Sequence, residues 1–499
     1  MNPLWKTRLA TLGAGLLAVV VGWSLAHGDF ALPALAGGIG AAACLVALTG
    51  VRFDTLVLGG LLFGYIVGNR GFAQFSLVPG LPLLPAETGL AVCAGWLVVA
   101  AAFGRHLPLQ RDALNYVVAL WIGLGAARIY SDVQTHGFVA LRDFAMIYYA
   151  AFFFIAQAQA ARDTTRRFLE NCLLAAVVIV IPLFELFRRF PEFFLGTLVV
   201  GGIPVIFFKG DLVATFMAVG VVLAHLRWEN TRRVAWLLVA LFGLLGVLLS
   251  ENRASLLGLL IVTGWLAVAQ RWALLRTQLA ALALVGIALL GGAAVGAVGP
   301  RENAALPVYE RVASIFDFDG TRAYFSSEAE FKGDNNRFRL VWWRTVFDET
   351  LAGNPWLGLG FGHDLAAGFL RQYYPDNLEE FTTRSPHNIL LTIFGRTGVL
   401  GLVVFLAVPF VMARRTFRAL RQTRCDPARV GSWLTAWLIL VCACFGVVLE
   451  GPMGAVVFWT SLGLANVANP DVSASTETPA AEAPLPAPVP AADTPLPLP

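Results

Sequence analysis

Charge is scarce in this chain: Asp, Glu, Lys and Arg make up 14% of its 499 residues, against about 25% in soluble domains. Hydrophobic residues make up 58%, which leaves too little polar surface to cover water-soluble domains of this length and assigns the chain to lipid. Cysteine is sparse as well. Five of the six, Cys44, Cys93, Cys172, Cys442 and Cys444, lie in apolar runs, and Cys425 lies in an arginine-rich stretch. That pattern excludes a disulfide scaffold and offers no cysteine metal site. No Gly-rich Lys-Ser/Thr phosphate loop and no His-Glu-x-x-His occurs, which argues against an ATP-driven pump and a zincin. The formal net charge of +4 is a small excess for so long a chain and indicates no nucleic-acid partner.

Long apolar runs are what the chain has in abundance. A span needs about 20 mostly apolar residues, and fourteen candidates lie near 9–26, 31–49, 54–69, 87–104, 112–128, 142–160, 171–187, 203–226, 234–250, 254–270, 277–298, 387–411, 432–449 and 452–468. The N-terminal run after Lys6 and Arg8 reads as a first span, because further spans follow at once. The eighth is broken by Gly201, Gly202, Pro204, Lys209 and Asp211, so 190–226 has room for a short re-entrant piece. The expected fold is an all-α integral membrane protein of about 12–14 transmembrane helices with one large, mostly helical periplasmic loop. Four regions follow: an N-terminal bundle at 1–298, the loop at 299–386, C-terminal helices at 387–470 and a disordered Pro/Ala-rich tail at 471–499.

Arginines set the orientation. With the N-terminus cytoplasmic, alternate connections contain Arg105 and Arg111; Arg162, Arg166 and Arg167; Arg227, Arg232 and Arg233; Arg271 and Arg276; and Arg414 to Arg429. Every basic connection then falls on one side, and 299–386 falls on the other. In a Gram-negative host that is the periplasmic side of the inner membrane.

Ionisable groups at the edge of a membrane are functional candidates, since leaving water costs several kcal/mol unless a partner compensates. On the external side they recur: Arg142 and Asp143, Glu251 and Arg253, Glu450, and in the loop Arg337, Arg339, Arg344, His363, Arg384 and His387. Arginines facing a histidine and a carboxylate suit a phosphate-bearing lipid and an acceptor hydroxyl. A span-end arginine is also a common snorkelling anchor. Arg253, however, stands against the positive-inside trend with apolar runs on both sides. His363 follows Gly358-Leu359-Gly360-Phe361-Gly362, which reads as a shaping turn rather than a phosphate nest. Asp317-Phe318-Asp319 resembles a cation-holding pair, although with Glu310 it equally reads as a solvated loop.

Four stretches belong together. Asn335 to Arg344, Asn354-Pro355-Trp356-Leu357-Gly358-Leu359-Gly360, Ser385-Pro386-His387-Asn388 and Gly395-Arg396-Thr397-Gly398-Val399-Leu400-Gly401 resemble the signature of the O-antigen ligase and polymerase superfamily. Arg253-Ala254-Ser255-Leu256-Leu257 resembles its Arg-x-x-x-Leu motif, and Glu450-Gly451-Pro452 its late acidic turn. The resemblance runs from about Glu87 to Leu464 and is most specific at 337–401.

It implies a glycosyltransferase that moves a glycan from an undecaprenyl-diphosphate carrier to an acceptor hydroxyl at the periplasmic face, without cofactor or metal. Its acceptor is a glycan, the lipid A core or a protein hydroxyl, and its surroundings are membrane lipids. By that resemblance His387 is the general base, and Arg253, Arg339 and Arg337 hold the diphosphate and stabilise its charge. Arg142, Asn388, Glu450 and Arg344 are expected to bind or orient substrate groups, with Glu450 orienting His387. A ligase-like activity leads; a polymerase or an O-linked protein glycosyltransferase has the same donor chemistry. A transporter, or a metal-dependent transferase using Asp317 and Asp319, is the alternative from another class.

Overall fold

The computed structural model describes residues 51–76, 84–104, 107–250, 252–294, 327–373, 384–422 and 426–467; at 274, 285, 288–294 and 327–337 it describes backbone alone. The first two candidate spans, Glu251, Glu310, Asp317, Asp319 and the tail lie outside the described residues.

Helices dominate the rest. Helix α1 (Phe53–Phe63) runs into a π-turn (Gly64–Gly68), followed by α2 (Arg70–Gln74), α3 (Pro85–Ala102), α4 (Ala113–His136), α5 (Val139–Tyr148), α6 (Ala151–Ala160) and α7 (Asp163–Arg189). Then come α8 (Gly210–Thr231), α9 (Val234–Leu249), α10 (Arg253–Val268), α11 (Trp272–Ala294), α12 (Ser327–Gly353), α13 (Ala367–Tyr373), α14 (Ile389–Arg421), α15 (Pro427–Ala443) and α16 (Pro452–Ala465). Six of these, counting α5 with α6 as one, are long and apolar enough to cross a membrane. The protein is an all-α membrane protein. In the broken stretch before α8, a π-turn at Phe193–Thr197 leads into a two-stranded hairpin, β1 (Val199–Val200) with β2 (Ile203–Pro204). Gly201 and Gly202 turn that hairpin at φ 58° and 80°.

The centre of the bundle is α8. Every residue from Leu212 to Leu226 is buried, as expected of a helix apolar on all sides, and α7, α9, α10 and α15 pack around it. Lipid supplies no hydrophobic drive for helices to associate, so contact depends on close backbone approach over small residues. A Cβ at Gly246 would come 2.8 Å from Met217 Sδ, one at Gly431 2.4 Å from Leu223 Cδ2, and one at Gly463 2.4 Å from the Phe153 carbonyl oxygen.

Helix direction alternates through the bundle, and the arginine-rich connections gather at one end. There Arg166 pairs with Asp426 at 3.1 Å, Arg415 with Asp112 at 3.1 Å and Arg271 with Glu229 at 3.5 Å. At the other end α14 is broken. Gly398 takes φ 65° and ψ −162°, a conformation open essentially to glycine alone. The turn at 354–362 docks into the break: Leu359 N donates to the Gly395 carbonyl at 2.7 Å, Gly360 N to Arg396 at 3.1 Å, and Val399 N to Pro355 at 2.9 Å. The Asn-Pro-x-x-Gly-x-Gly and Thr-Gly-x-x-Gly motifs are therefore two halves of one joint.

That joint has no room for a methyl group, since a Cβ on Gly398 would lie 2.4 Å from the Trp356 carbonyl oxygen. We expect Gly398→Ala to destabilise the protein by about 1–3 kcal/mol, seen as a lower unfolding midpoint in detergent. Gly264→Ala, which faces open space in α10, should leave the midpoint unchanged or raise it slightly.

Candidate active site

Groups from five segments converge at the end of the bundle opposite the arginine-rich connections. Lys209 and Asp211 stand at the start of α8, Arg253 opens α10, Arg339 lies on α12, and His387 precedes α14. The fifth segment is the turn between α15 and α16. Arg339 donates to its Phe445 carbonyl at 3.0 Å, and Lys209 Nζ donates to its Val447 carbonyl at 3.0 Å. Lys209 also pairs with Asp211 at 3.2 Å. Arg253 lies close enough to Arg339, and Arg339, Lys209 and Asp211 close enough to His387, to shift their titration. All five ionisable groups are half-buried.

Each is placed by a local device. Buried Asn69, at φ 53°, accepts through Oδ1 from Arg70 N at 3.0 Å and from Lys209 N at 2.9 Å, which fixes the chain as it enters α8. Asn252 caps α10, accepting from Ser255 N at 2.8 Å, so Arg253 starts the helix in a set direction. On α12, Phe338 and Trp342 pack against Phe369 of α13 at 4.8 and 5.5 Å between ring centroids, and Trp342 Nε1 donates to the Leu365 carbonyl at 2.9 Å.

His387 has φ 57°, the left-handed region that a non-glycine residue rarely enters. The residues around it hold it there. Trp343 Nε1 donates to the Pro386 carbonyl at 2.7 Å, and Asn388 Oδ1 caps α14 through Leu390 N and Leu391 N at 3.0 and 3.2 Å. Ser385 and Thr392 hydroxyls donate to Glu450 Oε1 at 2.6 and 3.0 Å. The imidazole itself lies 5.8 Å from the Trp342 ring, centroid to centroid.

Burial pushes the His387 pKa down to about 4; the charges of Arg339 and Lys209 add to the effect, and Asp211 opposes it. The ring is therefore neutral at pH 7, the form a general base requires. Burial and then the Arg253 charge also push Arg339 down, again with Asp211 opposing. Glu450 is pushed up by burial, against hydrogen bonds from Ser385 and Thr392 and the charge of Arg396.

The expected site residues separate into groups. Arg253, Arg339 and His387 are brought together. Glu450 bonds to Ser385 and Thr392, on either side of His387 in sequence, and so acts on the loop that carries the imidazole. Asn388 is a helix cap. Arg344 points outward, its side chain 86% exposed and paired with Asp348 at 3.7 Å; Arg142 is exposed on α5. The Arg337 side chain lies outside the described residues, although its backbone is on α12. The glycine turn is a shaping turn, as expected: its amides are spent on docking, with Phe361 N donating to Asp132 at 2.7 Å and Gly362 N to Asp143 at 3.0 Å. Asp143 in turn receives Arg396 at 2.5 Å. Lys209 and Asp211 were legible only as interruptions of an apolar run. The signal that marks them is a charge pair at a membrane-span start.

Residues 236–406 match the O-antigen ligase family model. The match covers about a third of the chain and supports the resemblance to the O-antigen ligase and polymerase superfamily over that stretch. A search of curated proteins found no match. The match supports a glycosyltransferase of the general ligase/polymerase type. The matched stretch contains Arg253, Arg339 and His387, and it excludes Lys209, Asp211 and Glu450, so the cluster draws on segments beyond it.

Burial is the larger cause of the low His387 pKa, and the Arg339 charge is next, so removing that charge should relieve the depression in part. In Arg339→Gln, the His387 pKa is expected to rise from about 4 toward 6.5, read by NMR of labelled histidine or by the pH dependence of carbethoxylation. An unchanged titration would show that Arg339 does not act on His387.

Proposed function

We propose that the protein transfers a glycan from an undecaprenyl-diphosphate carrier to an acceptor hydroxyl, in the manner of an O-antigen ligase, at the periplasmic face of a bacterial inner membrane. The observation that carries this reading is the convergence of Arg253 and Arg339 with a neutral His387 from separate segments. The face follows from the arginines: the opposite end holds the basic connections, which stay cytoplasmic.

In this reaction His387 accepts the acceptor proton as the oxygen attacks the anomeric carbon. The bond from that carbon to the phosphate oxygen breaks, and its electron pair leaves with the lipid diphosphate. Arg253 and Arg339 hold the diphosphate and meet the charge that builds on it, with about 3–4 kcal/mol of transition-state stabilisation per well-placed donor. Arginine suits the task because its planar fork stays charged at every relevant pH. These side chains supply positive charge themselves, so the reaction proposed needs no metal. The polyprenyl chain lies along the outward apolar faces of the bundle.

The test is the protein in liposomes with carrier-linked glycan and candidate acceptors. His387→Ala should lower transfer by about 10²- to 10⁴-fold while the protein still inserts and binds carrier lipid; full activity overturns the assignment. Transfer should persist in EDTA, and loss restored by manganese would favour metal chemistry. Polymer joined to lipid A core identifies a ligase, lengthened glycan on the carrier a polymerase, and modified protein a protein glycosyltransferase. For wild type, kcat/KM should be flat above pH 5 and fall as pH drops through about 4, where His387 gains its proton.

A further inference from the structure

Lys209 and Asp211 have no part in the reaction as described, yet both are built into the same cluster. The Lys209 ammonium bonds to Asp211 Oδ2 at 3.2 Å and to the Val447 carbonyl at 3.0 Å. Arg339 uses the Phe445 carbonyl of the same turn at 3.0 Å. Two carbonyls, one residue apart, thus hold two cations side by side. Gly446 between them leaves no space for a side chain, because a Cβ there would come 2.9 Å from Asp211 Oδ2. Asn69 fixes the Lys209 main chain from the far side at 2.9 Å.

The charge demand of the reaction gives this arrangement a purpose. A glycan-bearing lipid diphosphate is a diester of two negative charges. When the sugar leaves, the diphosphate terminus becomes a monoester and its charge rises by about one, since the second ionisation of a phosphate monoester has a pKa near 6. Two arginines match the diester; the product calls for one more cation. An ammonium is a compact point charge with rotatable donors, able to turn from Asp211 toward a new oxygen.

We propose that Lys209 is a third cation of the donor site, that it meets the charge gained by the departing lipid diphosphate, and that Asp211 is its counter-ion in the donor-free enzyme. The site thereby selects a lipid diphosphate over a lipid monophosphate. This rests on the proposed function.

The experiment measures binding of undecaprenyl diphosphate and of undecaprenyl phosphate to the full chain in nanodiscs. Wild type should prefer the diphosphate. Lys209→Gln should cut that preference about tenfold, the scale of one charge-assisted hydrogen bond, and Lys209→Arg should keep most of it. Asp211→Asn should bind the diphosphate several-fold more tightly, a gain that a purely structural pair would not give. Arg253→Gln and Arg339→Gln should weaken both lipids. If the arginine variants weaken binding while Lys209→Gln leaves the preference intact, or if Asp211→Asn fails to gain affinity, this inference falls and the proposed function stands. If none of the cation variants alters binding, both fall. Should Lys209→Gln fail to fold, as judged by gel filtration, Asp211→Asn decides the question by itself.

Discussion

Mutual repulsion among cations at one end of the bundle is the constraint on which the rest depends. Arg253, Arg339 and Lys209 lie close enough to press on one another or on His387, and half-burial keeps water from screening them fully. Such a cluster costs free energy unless the scaffold holds it. The scaffold answers with main-chain oxygen: carbonyls of Phe445 and Val447 receive Arg339 and Lys209, and Asp211 sits beside the lysine. A turn with no side chain at Gly446 suits this task, because a Cβ there would come 2.9 Å from Asp211 Oδ2, and its absence lets the carbonyls and that carboxylate gather round the cations.

The two ends of the bundle differ in kind. At the arginine-rich end Arg166, Arg271 and Arg415 are answered by carboxylates, in Asp426, Glu229 and Asp112. They fasten helices to one another, and Asn466 adds a bridge to Asp112 and Asn115 at 3.1 and 2.9 Å. At the other end, Arg396 and Arg384 do the same work, gathering Asp143, Asp364 and the glycine turn. Arg339 is tied to a carbonyl, which is a dipole rather than a full charge, and Lys209 divides its ammonium between a carbonyl and the Asp211 carboxylate. In the proposed reaction it is these cations, rather than the ones that fasten helices, that meet the donor.

Much of this was legible in the residues, and what was missed has physical reasons. Apart from the loop helices α12 and α13, most of the longer helices lie where the apolar runs are, and the arginine-rich connections gather at one end of the bundle. Arg253 was readable because it opens a helix against the positive-inside trend, and His387 because it stands in a Ser-Pro-His-Asn stretch just before an apolar run. Arg344 was misleading through helical geometry: five residues beyond Arg339, it lies well round the helix and turns outward. Asn388 looked like a ligand-binding amide, but its place one residue before α14 makes it a cap. Lys209 and Asp211 sat in a stretch that looked like a damaged span. Their meaning depends on the distant 445–447 turn, a relation that no local pattern carries.

A base with a pKa near 4 is a poor proton acceptor, and the same cluster supplies the remedy. Two of the influences that depress His387 are the charges of Arg339 and Lys209. In the proposed reaction both are opposed by the donor diphosphate, so their repulsion of a proton on the imidazole weakens as the donor seats. Burial of the ring remains, and the left-handed backbone at φ 57° keeps it aimed. Proton affinity thus rises when a leaving group is present, and in its absence the imidazole stays neutral without holding a proton it must first lose. In the proposed reaction, a base set among the cations that hold the diphosphate, rather than beside a carboxylate as in a hydrolase triad, has its activation linked to donor occupancy by Coulomb's law.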